Sequence, residues 1–392
     1  MRLHWSDDCL AASGRRERRR RVVSKVPTVY DVAERAGVSI ATVSRVLRTP
    51  DAVRPVTRER VLGAVTELGY VPSGSARGLA ERRTGVLGLY FPGFDALDEA
   101  AEFTVFTDDD DGAAGDEFSI VHEAAPPEDA GAATLFLDEV LRGAELEAWR
   151  RGFVLMVGVG RGDPATSVAR DMAGRVDGLV VLANSVPDDV LERLSARIPI
   201  VVLAGPRRGD SNDHVTVSNA QGMAALTRHV LEQTGGRVPS YLAGPVDSPD
   251  GAQRWQGFQR AIAEAGLDLA DVPVLRGDFS RAAGRRIGDE LVRSGLPPAL
   301  MSSNDQMALG VLDAFAAAGV RVPQDVVVTG FDGIDAAARS HPRLTTVRQP
   351  MTELGRAAIE VMARRLDEPD APPMSVRLPV EVVLRDSSVR RG

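Results

Sequence analysis

The sequence contains a single cysteine, Cys9, among its 392 residues. One cysteine excludes an intramolecular disulfide and is typical of a protein from a reducing compartment. No apolar run approaches the roughly 20 residues that a membrane-spanning helix requires. Residues 1–25 lack an apolar core ahead of a small-residue cleavage site, so they are not predicted to be a secretory signal. We therefore expect a cytoplasmic protein with no membrane partner.

The motifs of common catalytic sites are also absent from the sequence. It contains no His/Cys set with metal-ligand spacing, no glycine-rich phosphate loop and no G-x-S-x-G nucleophile elbow. The five histidines are scattered along the chain, and an isolated histidine is more often structural than catalytic. We therefore expect a protein that is not an enzyme and that has no cofactor and no metal site.

Basic residues are outnumbered by acidic ones overall, but they are in excess near the amino end. The chain carries 47 basic and 55 acidic residues, a net charge of −8, which taken alone argues against a nucleic-acid partner. Residues 1–83 hold 17 basic and 9 acidic residues, net +8, and the remainder carries a net charge of −16. A basic head on an acidic body is typical of a nucleic-acid-binding module joined to a soluble sensor. Phosphate attraction should then depend strongly on salt concentration.

Residues 28–47, TVYDVAERAGVSIATVSRVL, predict two short helices. Thr28 and Asp31 have the spacing of a capping box, and Gly37 can adopt the positive φ that ends a helix. Ser39 begins the second helix, whose inward positions are Val43, Val46 and Leu47. Two short helices joined by a glycine-containing turn form a helix-turn-helix, whose second helix enters the DNA major groove. The alternative is an ordinary αα-corner in another fold.

A third amphipathic helix is predicted to begin at Thr57. Its apolar side consists of Val61, Leu62, Val65 and Leu68. Three short helices suffice for a small trihelical core. The segment that follows, SGSARGLAERRTG (73–85), is weakly apolar and too short to be a stable helix alone.

From Thr84 onward, short apolar runs alternate with helical segments. The candidate strands are 85–91, 153–159, 178–183, 198–204, 214–218, 239–244, 297–303 and 326–331. Near-continuous apolar strands separated by helices predict parallel sheets covered on both faces. About 300 residues are too many for one ordinary core, so we expect two α/β lobes. Ligands bind at the carboxyl ends of such strands, and a cleft between two lobes can close on a ligand.

The order of these parts resembles the lac repressor/gal repressor (LacI) family. The matching segments near the amino end are 30–33, 36–39, 42–47, 57–58, 68–72 and 76–80. Segments similar to the family's effector domain are 254–258, 303–310, 322–326, 330–332 and 344–350. The resemblance implies an N-terminal all-α helix-turn-helix domain followed by an α/β two-lobed effector domain with parallel sheets, like type I periplasmic binding proteins. It also implies a homodimeric repressor that binds double-stranded DNA at a pseudo-palindromic operator under the control of a small-molecule effector.

We expect the chain to divide into four parts, of which the resemblance implies the last three. These are a disordered Arg-rich arm (1–25), a DNA-binding domain (26–72), a hinge segment (73–84) and an effector-binding and dimerisation domain (85–387). One lobe is expected to contain 85–205 and 331–348, and the other 206–330 and 349–387. The first 25 residues have an open alternative, an artefact of an early start codon.

An insertion at 95–133 departs from the family pattern. It holds 13 acidic residues and no lysine or arginine. Because it stands at the expected entrance to the cleft, its negative charge could disfavour anionic effectors such as sugar phosphates. An acidic hairpin and a disordered flap are both compatible with its sequence.

At the DNA interface, the resemblance implies roles for individual residues. Ile40, Ala41 and Arg45 match positions that read base edges, where arginine can contact guanine and apolar side chains suit a thymine methyl. Leu79 matches a hinge leucine that wedges into the minor groove, and Ala76 belongs to the same hinge motif. The positions matched to phosphate contacts are Thr28, Ser39, Ser44, Thr57 and Tyr70. Arg48 and Arg54 depart from the family's usual residues and add positive charge.

In the cleft, Arg254, Asn304, Asp305 and Asp332 match positions that hold the family's effector. An arginine and carboxylates can satisfy several hydroxyl groups, which implies a sugar or related polyol. The structural alternative is that Asp305 caps its helix, Asp332 holds a hinge and Arg254 is a surface charge. A solute-binding protein would share the two-lobed body, and a sugar-acting α/β enzyme is the other alternative. Neither would have a DNA role.

Overall fold

The structure is a computed structural model that describes residues 27–48, 52–70, 83–93, 134–160, 165–205 and 209–389. By its internal contacts the chain divides into two compact units, residues 1–82 and 83–392, called the head and the body below. The predicted hinge, except its last residues, and the acidic insertion lie outside the described ranges. None of the helices in those ranges combines the length and the apolarity needed to cross a membrane.

The head contains the three helices that the sequence predicts. They are α1 (Val29–Ala36), α2 (Ile40–Arg48) and α3 (Pro55–Leu68). The capping box forms at α1, since the Thr28 amide donates to Asp31 Oδ2 at 2.7 Å and the Asp31 amide donates to Thr28 Oγ1 at 3.4 Å. Gly37 ends α1 with φ of 62°, a conformation that glycine adopts at low cost.

A small apolar core holds the three helices together. Its buried members are Val32, Ala33, Ala36, Val43, Val46, Val61, Ala64 and Tyr70. The inward positions predicted for α2 are therefore confirmed, with Leu47 partly buried. The prediction for α3 needs two corrections, because the helix begins at Pro55 and Leu62 is 43% exposed. Ala64 takes the inward place and is buried in the core of the head.

The body is built from β-strands that alternate with helices. The strands are β1 (Val86–Pro92), β2 (Val154–Gly160), β3 (Gly178–Leu182), β4 (Ile200–Leu203), β5 (Asp213–Val217), β6 (Ser240–Ala243), β7 (Val274–Arg276), β8 (Ala299–Ser302), β9 (Val327–Asp332), β10 (Thr345–Arg348), β11 (Ser375–Leu378) and β12 (Glu381–Val383). The helices are α4 (Thr134–Arg150), α5 (Ala165–Ala173), α6 (Asp188–Ser195), α7 (Asn219–Thr234), α8 (Pro249–Glu264), α9 (Arg281–Ser294), α10 (Asp305–Ala317), α11 (Asp335–Arg339) and α12 (Met351–Asp367).

Within the described ranges, these strands form two six-stranded sheets. The first has the order β11-β5-β4-β3-β1-β2 and the second β12-β10-β9-β8-β6-β7. Every pair of neighbouring strands is parallel except β12 on β10. All eight strands proposed from the sequence form. The sequence did not predict β7, β10, β11 and β12, which have three or four residues each and lack a continuous apolar run.

Both faces of the first sheet are buried, which explains its apolar strands. Leu89, Val180 and Val201 pack against α4 and α12 on one face. Tyr90 and Val181 pack against α5 and α6 on the other. Each strand therefore needs apolar side chains at successive positions, as is usual for parallel sheets.

The predicted assignment of segments to lobes requires correction. The first lobe includes β5, and it also includes α12 and β11, which the prediction placed in the second lobe. The second lobe contains β9 and β10, so 331–348 belongs there and not with the first lobe. The chain crosses between the sheets three times, after β5, after β10 and after β11. Each βα unit has the same local pattern, so only packing between units decides which sheet a strand joins.

Candidate nucleic-acid interface and ligand cleft

One side of α2 is exposed at the positions predicted to read DNA bases. Ile40 has 39% of its surface exposed, and Ala41 and Arg45 are exposed as well. Ser39 precedes the helix, and its hydroxyl oxygen accepts a hydrogen bond from the Thr42 amide at 3.2 Å. The DNA major groove admits an α-helix, so this exposed side of α2 can face the base edges.

A concave basic surface lies between α2 and the start of α3, and the space in front of it has a volume of about 400 Å³. Its polar lining consists of Ser39, Thr42, Arg45, Arg54, Thr57 and Arg60. Guanidinium and hydroxyl groups are the donors that bind phosphate oxygens in DNA complexes. Arg60 is missing from the sequence prediction, because only the packing of α3 against α2 brings it to this surface.

The remaining DNA-binding candidates have other placements. Tyr70 is buried in the core of the head, with 8% of its surface exposed, so the structure gives it a packing role. The Thr28 hydroxyl donates to Asp31 Oδ2 at 2.6 Å within the cap of α1, and Ser44 is half-buried. Arg48 is the last residue of α2, while its side chain, Ala76 and Leu79 lie outside the described part of the chain.

In the body, polar residues from several elements meet where the parallel strands end. Arg254, on α8, is the centre of this cluster and is 5% exposed. Its Nε donates to Asn219 Oδ1 at 3.0 Å, and its Nη1 donates to the Ser303 carbonyl at 2.6 Å. The same Nη1 lies 3.2 Å from Asp332 Oδ1, and the guanidinium carbon lies 4.0 Å from the centre of the Phe331 ring. Arg254 is therefore a buried charge and not a surface residue.

Asp332 ends β9 and is held in an unusual conformation. Its φ is 120°, a region that non-glycine residues seldom adopt and that is often found at functional sites. The Gln349 side-chain amide donates to Asp332 Oδ1 at 2.7 Å, and the Gln349 backbone amide donates to the Asp332 carbonyl at 2.9 Å. Asp332 thus joins the start of α12 to the cluster around Arg254.

Asp305 and Asn304 have roles that differ from the sequence prediction. Asp305 has no exposed surface, and its carboxylate accepts hydrogen bonds from the Gly333 amide at 2.7 Å and the Thr346 hydroxyl at 2.6 Å. Its carboxylate thereby fixes the loop after β9 from inside the lobe. The cap of α10 is Asn304 and not Asp305, since Asn304 Oδ1 accepts from the Met307 amide at 3.0 Å.

Sequence reasoning missed several members of the cluster. They are Asn219, Asp250, Gln253, Ser303 and Gln349. Asn219 Nδ2 donates to Asp250 Oδ1 at 2.9 Å, and this oxygen also accepts from the Gly205 amide of the first lobe at 2.9 Å. The hydrogen bond from Asn184 Nδ2 to the Asp247 carbonyl is a second contact between the lobes. The position of Asn219 directly after a predicted strand was the available signal.

The buried carboxyl groups have raised pKa values. Burial raises the pKa of Asp332 to about 6, although Arg254 and Gln349 act in the opposite direction. Burial, together with the charge of Asp332, raises the pKa of Asp305 to about 8. An aspartate in the unfolded chain titrates near pH ~3.9. The folded body therefore holds more protons between about pH 4 and 8, so its stability falls as pH rises through this range.

We expect the melting temperature of the body to fall by about 5–10 °C between about pH 6 and 8, since one pKa unit is worth about 1.4 kcal/mol and each kcal/mol shifts melting by about 2–4 °C. Asp305→Asn removes the titrating group and should flatten this dependence. Calorimetry of both proteins across the pH series provides the measurement. Parallel curves for the two proteins would show that Asp305 does not titrate in this range.

Comparison with known proteins identifies the family of both units. Residues 28–73 match the family described as bacterial regulatory proteins, lacI family, and 228–388 match the periplasmic binding protein-like domain. The HTH-type transcriptional repressor PurR of Klebsiella pneumoniae (strain 342) is 31% identical over 346 residues, covering 86% of this chain and 90% of the relative.

Two solved structures extend this comparison. The complex of the transcriptional regulator CelR with cellobiose has a TM-score of 0.62 and 29% identity, covering 92% of this chain and 99% of that one. The lac repressor dimer bound to operator and the anti-inducer ONPF shares the fold, with a TM-score of 0.73 and 24% identity, covering 93% and 100%. The predicted family and fold class are thereby confirmed. The chain belongs to the lacI family of bacterial regulatory proteins and is a DNA-binding transcriptional regulator with a two-lobed, periplasmic-binding-protein-like body.

Proposed function

We propose that the protein is a cytoplasmic, homodimeric repressor whose affinity for a pseudo-palindromic operator changes when a neutral sugar or related polyol binds in the cleft. The observation that carries the ligand site is the position of Arg254, which is buried where the strands end and stacks on Phe331. Its hydrogen bonds use Nε and Nη1, and Nη2 has no partner among the described residues. The buried Ser303 hydroxyl also has no partner in those ranges. Nη2 can therefore donate to ligand hydroxyls.

The charge of the cluster favours an uncharged ligand. Arg254 is the cation at its centre, whereas Asp250, Asp305 and Asp332 are all within the same network. The attraction of Arg254 for an anion is therefore offset by Asp332, 3.2 Å from its guanidinium, with Asp250 in the same network. The relative CelR was solved with cellobiose, a neutral sugar, which supports the same class of ligand. Catalysis is not part of this proposal.

Asp332 is proposed to contact the ligand together with Arg254. Asn304 is proposed to hold the start of α10 beside them, because its Oδ1 accepts from the Met307 amide and its Nδ2 donates to the Phe279 carbonyl. Asp305 is proposed to act indirectly, by holding the loop that carries Asp332, because its carboxylate is fully buried. Ligand binding requires the hydrogen bonds within the cluster to be exchanged for bonds to the ligand. A ligand that contacts both lobes shifts the population toward one arrangement of the lobes.

A ligand screen followed by DNA binding tests this proposal. A thermal-shift panel should contain cellobiose, ribose and other neutral sugars, their phosphates, and nucleosides, because a ligand of the folded state raises its melting temperature. The purified protein is then used to select a pseudo-palindromic duplex from a random pool. The affinity for this duplex is measured with and without each compound that raised the melting temperature. We expect neutral sugars to raise melting and to change duplex affinity. A panel in which only phosphorylated compounds bind would contradict the proposed ligand class.

The surface for the second copy is proposed to include the open edge of the first sheet. β2 is the last strand of that sheet, and its Val154, Val157 and Val159 are 64%, 45% and 37% exposed. Trp149, near the end of α4 in the same lobe, is 75% exposed. Apolar side chains on an unpaired edge strand would promote aggregation unless a partner covers them. The lac repressor structure, which shares this fold, is a dimer.

We expect Val157→Asp to convert the dimer to monomer at micromolar concentration, since it places a charge in a surface that must lose its water. Sedimentation velocity on the purified protein measures the change. Val246→Asp is the matched control, because Val246 is 82% exposed and follows β6 in the other lobe. Equal dimer fractions for wild type and both variants would exclude the β2 edge from the interface.

A further inference from the structure

The last two residues of the predicted hinge, and the residue that follows them, are attached to the body at two places. Asp177, which directly precedes β3, accepts hydrogen bonds from the Thr84 amide, from Thr84 Oγ1 at 2.9 Å and from the Gly85 amide at 2.7 Å. Arg83 lies at the carboxyl end of α12, where its Nη1 is 3.2 Å from Asp367 Oδ1 and its Nη2 donates to the Leu366 carbonyl. A cation is favoured at a helix carboxyl terminus, because the last carbonyls carry partial negative charge.

The amino end of α12 lies at the cleft. Gln349, two residues before the first residue of the helix, is 5% exposed and makes both its side-chain and backbone hydrogen bonds to Asp332. α12 has 17 residues and is therefore about 25 Å long. One helix thus connects the residue that pairs with Arg254 to the point where the hinge enters the body.

Close packing holds α12 against the first lobe along its length. Its backbone contacts the backbone of α4 so closely that a Cβ at Gly143 would collide with the Thr352 carbonyl, and one at Gly355 with the Val140 carbonyl. Near the far end, Arg365 binds the buried Asp213 through two hydrogen bonds of 2.8 Å. Asp332, in contrast, belongs to the second lobe.

We propose that α12 carries the signal from the cleft to the hinge, with Gln349 as its receiving contact and Arg83 as its output contact. A ligand that hydrogen-bonds to Asp332 competes with Gln349 and changes how the start of α12 is held against the second lobe. Because the helix is stiff, this change reaches Arg83 and the segment anchored by Asp177. The inference rests on the proposed function, in which the ligand binds in this cleft. Gln349 and Arg83 are positioning residues and need not touch ligand or DNA.

Hydrogen exchange on the full chain, without ligand or DNA, tests the connection. Gln349→Ala should speed exchange of the Thr84 and Gly85 amides by about tenfold, the usual scale of coupling between sites. Gln253→Ala is the matched control, since Gln253 belongs to the same network through Asn219 but lies on α8. Unchanged exchange at Thr84 and Gly85 in Gln349→Ala, or equal acceleration in both variants, would overturn the proposal.

The reciprocal variant does not depend on the stability of the cleft. Arg83 is exposed, so Arg83→Gln leaves the core intact, and by linkage it should speed exchange of the Gln349 amide by a similar factor. If that amide keeps its wild-type protection, α12 does not couple the two ends.

A DNA measurement separates this inference from the proposed function. The selected duplex serves as the probe, and the affinity of wild type, Gln349→Ala, Arg83→Gln and the double variant is measured. The effects of the two substitutions should differ from additive by at least about threefold. Additive effects would contradict the connection through α12. Failure to select any duplex would contradict the proposed function, while the exchange result would still decide the role of α12.

Discussion

Replacing Arg254 with methionine should lower the melting temperature of the body by about 10 °C and remove its response to every cleft ligand. The substitution keeps an unbranched side chain over Phe331, but it leaves Asp332 without its paired cation and Asn219 Oδ1 without the guanidinium donor. Removing one partner of a buried ion pair costs about 3–5 kcal/mol, because the other charge stays in a dry site. Each kcal/mol lowers melting by about 2–4 °C in a domain of this size.

The raised pKa of Asp332 sets how this effect depends on pH. Without Arg254 the carboxyl group loses the charge that favours its ionised form, so it should bind a proton more tightly. The destabilisation by Arg254→Met should therefore shrink as pH falls toward about 5, where Asp332 is neutral in both proteins. Calorimetry at two pH values measures this difference.

Arg228→Met is the control for the loss of a paired arginine in the same lobe. Arg228 and Glu264 form an ion pair at 3.0 Å in which both side chains are 49% exposed. Exposed pairs contribute about 0–1 kcal/mol, so this variant should melt within about 2 °C of wild type and keep its ligand response. If Arg254→Met were as stable as Arg228→Met and still responded to the same sugar, Arg254 would not be the centre of the ligand site.

Replacing Arg45 with glutamine should weaken binding to the selected duplex by about 10- to 100-fold, since a bidentate arginine–guanine contact is worth about 1–3 kcal/mol. Arg45 is on the exposed side of α2 and lines the basic surface between α2 and α3. The loss should be confined to one base-pair position in each half-site. Competition with duplexes substituted at single positions would therefore show relaxed preference there and unchanged preference elsewhere.

Arg35→Gln removes the same charge from the head without touching that surface. Arg35 lies on α1, where it pairs with Glu67 at 2.5 Å. Both variants lose the same long-range attraction for phosphate, so their difference isolates the local contact of Arg45. A loss of similar size for the two variants, with base preference intact in both, would reduce the role of Arg45 to general charge.

Local sequence patterns were sufficient for most elements of this fold. The capping box of Thr28 and Asp31, the glycine after α1 and the apolar spacing of α2 depend on neighbours within one or two turns. The eight long apolar strands follow from a different local rule, that a strand buried on both faces needs apolar residues at every position. The strands that were missed are short, and β10 is buried although it reads Thr-Thr-Val-Arg.

Some site residues could likewise be found from the sequence, and others only from the structure. Motif resemblance found Arg254 and Asp332, which the structure brings within 3.2 Å of each other. It did not find Asn219, Asp250 or Gln349. Their hydrogen-bond partners lie 17 to 35 residues away along the chain and belong to other elements. It placed Asp305 among the ligand contacts, whereas burial and three donors make it the support of a loop.

By itself, the sequence determined that a basic three-helix head is joined to a larger α/β body, because periodicity, caps and charge are local properties of the chain. Only the tertiary structure decided which sheet receives β9, β10 and β11, how Arg254 is neutralised, and that α12 runs from Gln349 to Arg83. Those outcomes depend on the fit between surfaces far apart in sequence. Many pairings satisfy the local rules, and close packing selects one of them.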